Sequence, residues 1–338
     1  MLQVNRYTHQ LEAAVKAVGL ACRITREIQQ KAGGPMHVSK ADASPVSIAD
    51  FAAQAVVNHV LDHDLGGVKI VAEESAAMLR EESHKSLADS VLQHVRTVWP
   101  EATLPRVLDA IDLGNHDGTS DSYWALDPID GTKGYLRGEQ YAVCLALIEG
   151  GEVVVAAMGC PNLSTDFDRP FTEVDPHGVL FLAVRGEGAW SVPTDAPQSV
   201  PHRVEVAPRP VDASIRVCES IERAHTRREI THKVIEKLGG TGPSANLDSQ
   251  AKYGVVARGQ ADAYLRIPAK PGYAEKIWDH APGSLIVQEA GGIVSDSDGK
   301  PLDFKAGTTL SRNRGIVAAI PVVHGLVVNA IREVRLKR

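Results

Sequence analysis

The sequence predicts a layered α/β sandwich of the α+β type, with helices on an N-terminal antiparallel sheet and on a C-terminal mixed sheet. Two observations support this prediction. β-rich runs joined by glycine turns dominate the later part of the first half, and strands alternate with helical runs in the second half. The chain has 338 residues and 43% hydrophobic content, so it can bury a sizeable core.

Five stretches of the sequence are predicted as helices. In the first, apolar residues recur at helical spacing until Gly33-Gly34-Pro35 interrupts the pattern. Ser47 is placed to cap the second, which ends at Gly66-Gly67, and the third contains neither Gly nor Pro. The predicted helices span residues 7–31, 48–65, 76–98, 226–238 and 282–290.

Short runs rich in β-branched residues predict the strands. The turns Glu149-Gly150-Gly151 and Gly186-Glu187-Gly188 each join two such runs, which predicts antiparallel neighbours in the first half. The predicted strands span residues 68–72, 123–126, 141–148, 153–158, 179–184, 189–192, 215–218, 263–267 and 316–319.

A proline-rich segment is the predicted boundary between two subdomains. Five prolines lie between Pro193 and Pro210, both ends included. We therefore expect residues 1–195 to form a helix-plus-antiparallel-sheet subdomain and residues 196–338 to form an α/β subdomain.

The composition and net charge indicate which kinds of molecule the protein is expected not to bind. The formal net charge is -6 with 23% charged residues, so the chain has no overall attraction for DNA, RNA or an anionic membrane. No apolar stretch approaches the roughly 20 residues that span a bilayer. We expect neither nucleic acid nor membrane as a partner, and a cytoplasmic location with the nucleus as an open alternative. The four cysteines are widely spaced, which predicts buried, reduced thiols.

Two aspartates stand close together at the end of a predicted strand. Residues 124–132 read WALDPIDGT, where Pro128 predicts a turn from which Asp127 and Asp130 both project. Carboxylates this close repel each other unless a cation or a proton lies between them, and the Ile129 carbonyl can add a third oxygen. The pattern indicates a site for a hard divalent metal, with solvated aspartates in a capped turn as the alternative.

Further acidic residues lie next to predicted strands and helices. Glu73 comes directly after a predicted strand, and Asp279 precedes a predicted helix. Helix capping alone would also explain an aspartate at position 279, so that alternative stays open. The backbone amides of Gly131 and Thr132 would open a helical turn beside Asp130, which favours binding of a phosphate oxygen.

Three segments resemble those of the lithium-sensitive, Mg²⁺-dependent phosphatases related to inositol monophosphatase: VAEES at 71–75, WALDPIDGT at 124–132 and KIWDHAPG at 276–283. Within that group, residues 131–151 and EKIWDH at 275–280 are most similar to the 3′(2′),5′-bisphosphate nucleotidases. The resemblance covers essentially the whole chain. It implies alternating α-β-α-β-α layers and hydrolysis of the 3′-phosphate of adenosine 3′,5′-bisphosphate, and of 3′-phosphoadenylyl sulfate as a second substrate.

The resemblance also implies a metal centre of two or three Mg²⁺ ions and inhibition by Li⁺. The implied metal ligands are Glu73, Asp127, the Ile129 carbonyl, Asp130 and Asp279. Asp50 and Thr132 would activate the attacking water, and the chemistry agrees, because a threonine hydroxyl is a poor base but can relay a proton to a carboxylate. The alternative for Asp50 is an exposed residue in the first turn of its helix.

Contacts to the nucleotide are implied mainly in the second half of the chain. Lysine and arginine there would form the local basic pocket that an acidic protein needs for a polyanionic ligand, although each alone is typical of an ordinary surface. The implied substrate-binding residues are Gly131, Thr132, His225, Ser249, Lys252, Arg266 and Asp279. Pro282 departs from the pattern of many relatives. Because proline is tolerated in the first turn of a helix, we expect Asp279 to keep its place.

Two alternatives to a bisphosphate nucleotidase remain open. An inositol polyphosphate 1-phosphatase shares the metal chemistry and is distinguished by its kcat/KM on each substrate. A catalytically idle nucleotide sensor is the alternative from another class, although the complete set of metal-binding and water-activating residues favours an enzyme. We expect a monomer with its site in a cleft between the two subdomains, where residues 1–195 supply most metal ligands.

Overall fold

The structure, a computed structural model, describes residues 6–31, 37–39, 45–208, 214–221, 228–240, 245–268 and 272–336. Its helices are α1 (Thr8–Gln30), α2 (Ile48–Leu65), α3 (Lys85–Val95), α4 (Leu104–Asp112), α5 (Thr132–Leu136), α6 (Arg228–Lys237), α7 (Ala251–Ala257), α8 (Ala281–Glu289) and α9 (Pro321–Leu336). Its strands are β1 (His37–Ser39), β2 (Pro45–Ser47), β3 (Ile70–Ala72), β4 (Ser122–Asp130), β5 (Ala142–Glu149), β6 (Glu152–Cys160), β7 (Val179–Val184), β8 (Gly188–Pro193), β9 (His202–Val204), β10 (Val217–Glu219), β11 (Ala245–Asn246), β12 (Ala263–Arg266), β13 (Ile293–Ser295) and β14 (Ile316–Ala319).

The described strands form two large sheets and a small hairpin of β1 and β2. The first large sheet has seven strands in the order β3-β4-β5-β6-β7-β8-β9, and it is antiparallel except where β3 runs parallel to β4. The second has five strands in the order β11-β10-β12-β14-β13, with parallel pairs around β10 and antiparallel pairs around β14. The predicted N-terminal antiparallel sheet and C-terminal mixed sheet are confirmed, with β3 as the parallel exception.

Helices alternate with the sheets to make five layers. The first large sheet lies between the helix pair α1 and α2 and the pair α7 and α8. Strand β4 shows why, because Trp124 and Leu126 are buried on the side of α1 and α2, whereas Tyr123 and Ala125 are buried on the other side. The second large sheet separates α8 from α6 and α9. The α-β-α-β-α order that the sequence resemblance implies is therefore confirmed.

One predicted helix is shorter than the sequence indicates. The stretch 76–98 was predicted as a single helix, but residues 78–84 form two short 3₁₀ turns and only Lys85–Val95 is α-helical. Side-chain contacts to α4 explain the difference. The Ala76 N–H and the Arg80 guanidinium both donate to the Asp112 carboxylate, at 2.9 and 2.8 Å, which ties this stretch to a helix that the sequence analysis did not predict.

The chain passes from one large sheet to the other between β9 and β10, close to the predicted proline-rich boundary. The division into residues 1–195 and 196–338 remains a prediction, and β9 of the first sheet lies just beyond it. All four cysteines are buried and unpaired, as predicted. Among the described residues, no helix combines the length and the apolar content that crossing a membrane requires.

Candidate metal centre

Asp127 and Asp130 lie on β4 itself rather than in a turn that follows it. The predicted turn at Pro128 is wrong, because β4 continues to Asp130 with a β-bulge: Asp127 pairs with Cys144, but Asp130 pairs with Ala142, so β4 carries one extra residue. Proline has no N–H for the ladder, and a bulge accommodates this loss. The Ile129 N–H instead donates to the Asp127 carboxylate at 3.1 Å. The bulge thus brings two carboxylates to the same end of the strand.

Acidic side chains from separate segments surround Asp127. Its side chain is 2% exposed, and its pKa is raised well above 3.8, first by burial and then by neighbouring negative charges. Those charges belong to Glu73 after β3, Asp130 on β4, Asp279 before α8 and Asp50 at the start of α2. The structure therefore brings the predicted acidic residues into electrostatic contact.

Two cations offset only part of this negative charge. Burial raises the pKa of Asp130 to about 6, although Lys252 and Arg266 oppose the shift. Burial also raises the pKa of Asp279 well above 3.8, again against the opposing charge of Arg266. The predicted ligand atoms are all oxygens, which suits a hard cation such as Mg²⁺. A cluster of carboxylates whose pKa values are raised by desolvation and by neighbouring negative charges fits the metal centre that the sequence indicates.

A tighter group of potential ligand atoms lies beside this cluster. In the part of the chain that the structure describes, atoms of Glu275, Asp279 and His280 lie within 4.8 Å of one another, and only Asp279 belongs to the predicted metal set. Arg266 pairs with the Glu275 carboxylate at 2.8 Å, and the Tyr253 hydroxyl lies 2.8 Å from His280 Nδ1. Glu275 and His280 thus already have protein partners. Both belong to the EKIWDH segment at 275–280, and no role was predicted for either from the sequence.

Asp50 is buried in the first turn of α2, so the alternative of an exposed residue is wrong. The Ser47 N–H and hydroxyl donate to the same Asp50 oxygen, at 2.9 and 2.6 Å, and the Ala49 N–H donates to the Ser47 hydroxyl oxygen at 3.1 Å. The helix cap predicted at Ser47 is confirmed. This cap orients the Asp50 carboxylate, whose charge helps to raise the pKa of Tyr135 on α5. At the start of α5 the Thr132 hydroxyl donates to the Ile129 carbonyl at 3.2 Å.

Gly131 allows the metal-binding segment to touch the segment predicted to bind the nucleotide. Its φ of 86° lies in the left-handed region, and an added Cβ would come within 3.0 Å of the Ser249 Cβ. Next to it, the Gln250 N–H donates to the Asp130 carboxylate at 2.5 Å. Ser249 is itself the non-glycine residue with positive φ, 69°, among the described residues. The two segments are therefore packed backbone against backbone.

Gln250 is a residue that sequence reasoning missed. Its side-chain amide donates to the Trp278 carbonyl at 2.8 Å and accepts from the Gly283 N–H at 3.1 Å, so it holds both sides of Asp279. Helix α8 begins at Ala281; the side chain of its N-cap residue, His280, makes no capping hydrogen bond, and Gln250 rather than Asp279 accepts from the first turn. The capping explanation for Asp279 is therefore wrong, whereas the expectation that proline is accommodated in the first turn of this helix is confirmed.

The predicted nucleotide-binding residues occupy different settings. Lys252 is buried and donates to the carbonyls of Leu247 and Ser249, at 3.1 and 2.6 Å, so its ammonium supports the loop before α7. The side chain of Arg266 is 15% exposed and lies 3.8 Å from Asp279. His225 lies outside the described residues. Contacts from these residues to a nucleotide remain predictions.

Known proteins are similar to this chain over nearly its whole length. A model of the inositol monophosphatase family matches residues 5–336. A 3′(2′),5′-bisphosphate nucleotidase of Emericella nidulans is 42% identical over 351 residues, which cover 97% of the chain and 99% of that protein. Another, of Schizosaccharomyces pombe, is 40% identical over 342 residues and covers 96% of both chains.

Solved structures agree on the fold. A Thermotoga maritima IMPase has a TM-score of 0.64 at 19% identity, covering 97% of the chain and 98% of its own length. An inositol monophosphatase from Anabaena has a TM-score of 0.60 at 19% identity and covers 97% of both chains. At these identities the likeness supports the architecture, and the local geometry has to support the chemistry.

Proposed function

The chain belongs to the inositol monophosphatase family, and from this premise we propose that it is a metal-dependent phosphatase acting on adenosine 3′,5′-bisphosphate. The reaction would release the 3′-phosphate and leave AMP, and 3′-phosphoadenylyl sulfate would be a second substrate. The observation that carries the proposal is the cluster of Asp127 and Asp130 on β4 with Asp279 before α8, in which Asp130 and Asp279 both raise the pKa of Asp127 and Asp130 also raises that of Asp279. Relatives of about 40% identity that are bisphosphate nucleotidases support the choice of substrate.

The proposed metal centre would hold two or three Mg²⁺ ions, and Li⁺ would inhibit the enzyme. Its ligands would be Glu73, Asp127, the Ile129 carbonyl, Asp130 and Asp279. When bound, such ions neutralise charge on the phosphate and make a water molecule more acidic. Of these carboxylates Asp127 is buried, which keeps competing water away from it.

Thr132 and Asp50 would transfer the proton of the attacking water. In the proposed reaction the Thr132 hydroxyl accepts a proton from the attacking water and passes its own to Asp50, which the Ser47 cap holds in place. The new bond forms between the water oxygen and phosphorus, and the bond from phosphorus to the 3′-oxygen breaks. The 3′-oxygen takes up a proton from solvent to complete AMP, and Asp50 releases the proton that it accepted to solvent before the next turnover.

The proposed nucleotide site adjoins this centre. Arg266 supports the assignment because its guanidinium is partly exposed beside Asp279, where it can reach an anionic group. The proposed substrate contacts are Gly131, Thr132, His225, Ser249, Lys252, Arg266 and Asp279. We expect a monomer that acts in the cytoplasm on this small molecule rather than on nucleic acid.

Phosphate release from adenosine 3′,5′-bisphosphate by the purified protein tests the proposal. We expect turnover with Mg²⁺, none with EDTA, and inhibition by Li⁺. The same assay on inositol 1,4-bisphosphate is the comparison, and the nucleotide should have the higher kcat/KM. Equal or better turnover of the inositol substrate would point to the inositol polyphosphate 1-phosphatase, and tight nucleotide binding without phosphate release would point to a sensor.

The stabilising effect of Mg²⁺ should depend on pH. The pKa of Asp130 is raised from 3.8 to about 6 in the folded protein, chiefly by burial. Its contribution to stability is therefore present below about pH 4 and is lost as pH rises through about 6. Above that pH a cation can replace the lost protons, whereas below it protons compete with the cation.

We therefore expect saturating Mg²⁺ to raise the Tm by several degrees at about pH 7.5 and by much less at about pH 5. Thermal unfolding in Mg²⁺ and in EDTA at each pH measures the difference, with Asp130→Asn as the variant in which the pH dependence of this difference should flatten. An Mg²⁺-induced shift that is equal at both pH values contradicts the prediction.

A further inference from the structure

Arg266 lies between two carboxylates at unequal distances. It ends β12, and its guanidinium is 2.8 Å from Glu275 and 3.8 Å from Asp279. The hydroxyls of Tyr264 and Tyr273 also face it. The Arg266 Nε is buried and finds no hydrogen-bond acceptor among the described residues. The same guanidinium nitrogen thus pairs closely with Glu275 and lies 3.8 Å from Asp279, the proposed metal ligand.

Glu275 is held in place from several sides. Its side chain is 3% exposed, and His280 Nε2 lies 3.4 Å from the same carboxylate oxygen that contacts Arg266. His280 in turn shares a hydrogen bond with the Tyr253 hydroxyl. The backbone is fixed as well, because the Leu310 N–H donates to the Glu275 carbonyl at 2.8 Å. Glu275 therefore has little freedom to follow a moving arginine.

The charge on Glu275 is stable despite its burial. Burial alone would raise the pKa of this carboxyl, but the charge of Arg266 and the hydrogen bond from His280 together lower it to about 2. A buried, ionised carboxylate holds a guanidinium more strongly than a neutral acceptor does. Without that charge, the nearest alternative anion for Arg266 is Asp279. An arginine paired with Asp279 would occupy oxygens that a metal ion needs.

We propose that Glu275 is a positioning residue that holds the Arg266 guanidinium away from Asp279. The Asp279 carboxylate is then left to a divalent cation, and the outer N–H groups of Arg266 are left to an anionic group of the substrate. The inference that Arg266 binds the substrate rests on the proposed function. The inference that Glu275 keeps Asp279 available to a metal ion depends only on the geometry of this chain. The class of ligand for Arg266 is a phosphate ester.

Glu275→Gln is the test, because it removes the charge and keeps the shape. We expect the affinity for Mg²⁺, measured by calorimetry without nucleotide, to fall about tenfold as Arg266 moves towards Asp279. With saturating Mg²⁺, the KM for adenosine 3′,5′-bisphosphate should rise about tenfold while kcat changes less than about threefold. The matched control is Glu289→Gln, since Glu289 accepts from the Gly186 and Gly188 N–H groups away from the centre.

The double variant Arg266→Ala/Glu275→Gln decides between positioning and a general structural role. Without the arginine there is no competitor for Asp279, so Mg²⁺ affinity should return to the wild-type value, whereas KM should stay high because a substrate contact is gone. Wild-type Mg²⁺ affinity in Glu275→Gln, or an affinity that stays low in the double variant, overturns the proposal. Thermal unfolding of each variant shows that it is folded.

The metal measurement also separates this inference from the proposed function. Mg²⁺ binding is measured in the absence of any nucleotide, so the recovery in the double variant is informative even if the wild-type protein does not hydrolyse adenosine 3′,5′-bisphosphate. In that case the function fails and the positioning role stands. If the wild type is active and Glu275→Gln binds Mg²⁺ with the wild-type affinity, the proposed function stands and the positioning role fails.

Discussion

Asp127→Asn is expected to lower kcat by about a thousandfold or more. The change removes one charge from the proposed metal centre, whose charge stabilisation is worth several kcal/mol, and each 1.36 kcal/mol corresponds to a factor of ten. The asparagine can still accept the Ile129 N–H that Asp127 accepts at 3.1 Å, so the bulge should persist. Phosphate release at saturating Mg²⁺ measures the loss.

The same variant should be no less stable than the wild type when metal is absent. The folded-state pKa of Asp127 is raised by burial and by its acidic neighbours, so the ionised carboxylate opposes folding at neutral pH. Asp109→Asn is the control, because Asp109 is an exposed aspartate paired with Arg80 outside the centre. Near-normal turnover by Asp127→Asn would remove this residue from the metal ligands. A large fall in Tm in EDTA would instead show that Asp127 serves the fold.

Regular elements could be predicted from the sequence because their signals are local. Strand β14 matches its predicted range of 316–319, and α1 and α8 differ from prediction by about one residue at each end. In α1 the apolar residues at helical spacing, Leu11, Val15, Val18 and Cys22, are all buried. Prediction failed where contacts with residues distant in sequence determine the local conformation. The stretch 76–84 had a helical composition but is held to α4 through Asp112.

The acidic members of the site were predictable, but their supports were not. The order of strand, Asp-Pro-Ile-Asp and glycine indicated a metal site, and the structure places Asp127 and Asp130 together as expected. The β-bulge depends on pairing with β5, which the local proline signal could not show. It replaced the predicted turn because strand pairing resumes at Asp130 and Ala142.

The residues that hold the site were missed because their partners are far away in sequence. Gln250 reaches both sides of Asp279 with one amide, a role that only the packing of α7 against α8 creates. Glu275 stood in a recognised motif, yet its pairing with Arg266 depends on the approach of β12 to the segment before α8. The sequence carries no periodicity or spacing that links such residues.

Asp50→Asn should lower kcat by about a hundred- to ten-thousandfold, the range typical of a lost general base. The asparagine keeps an oxygen that can accept from the Ser47 N–H, so α2 should still be capped. We therefore expect the Tm to change little and the Mg²⁺ affinity to change much less than kcat. Phosphate release at saturating Mg²⁺ and substrate, together with thermal unfolding, gives both quantities.

Ser47→Ala is the matched control, because it damages the cap and leaves the carboxylate. It removes the hydroxyl that accepts from the Ala49 N–H and donates to Asp50, and loss of such a cap costs roughly 0.5–2 kcal/mol of stability. Its kcat should fall far less than that of Asp50→Asn. If the order is reversed, so that Ser47→Ala loses turnover and Asp50→Asn keeps it, Asp50 acts as a structural cap. The proton must then leave the attacking water by another route.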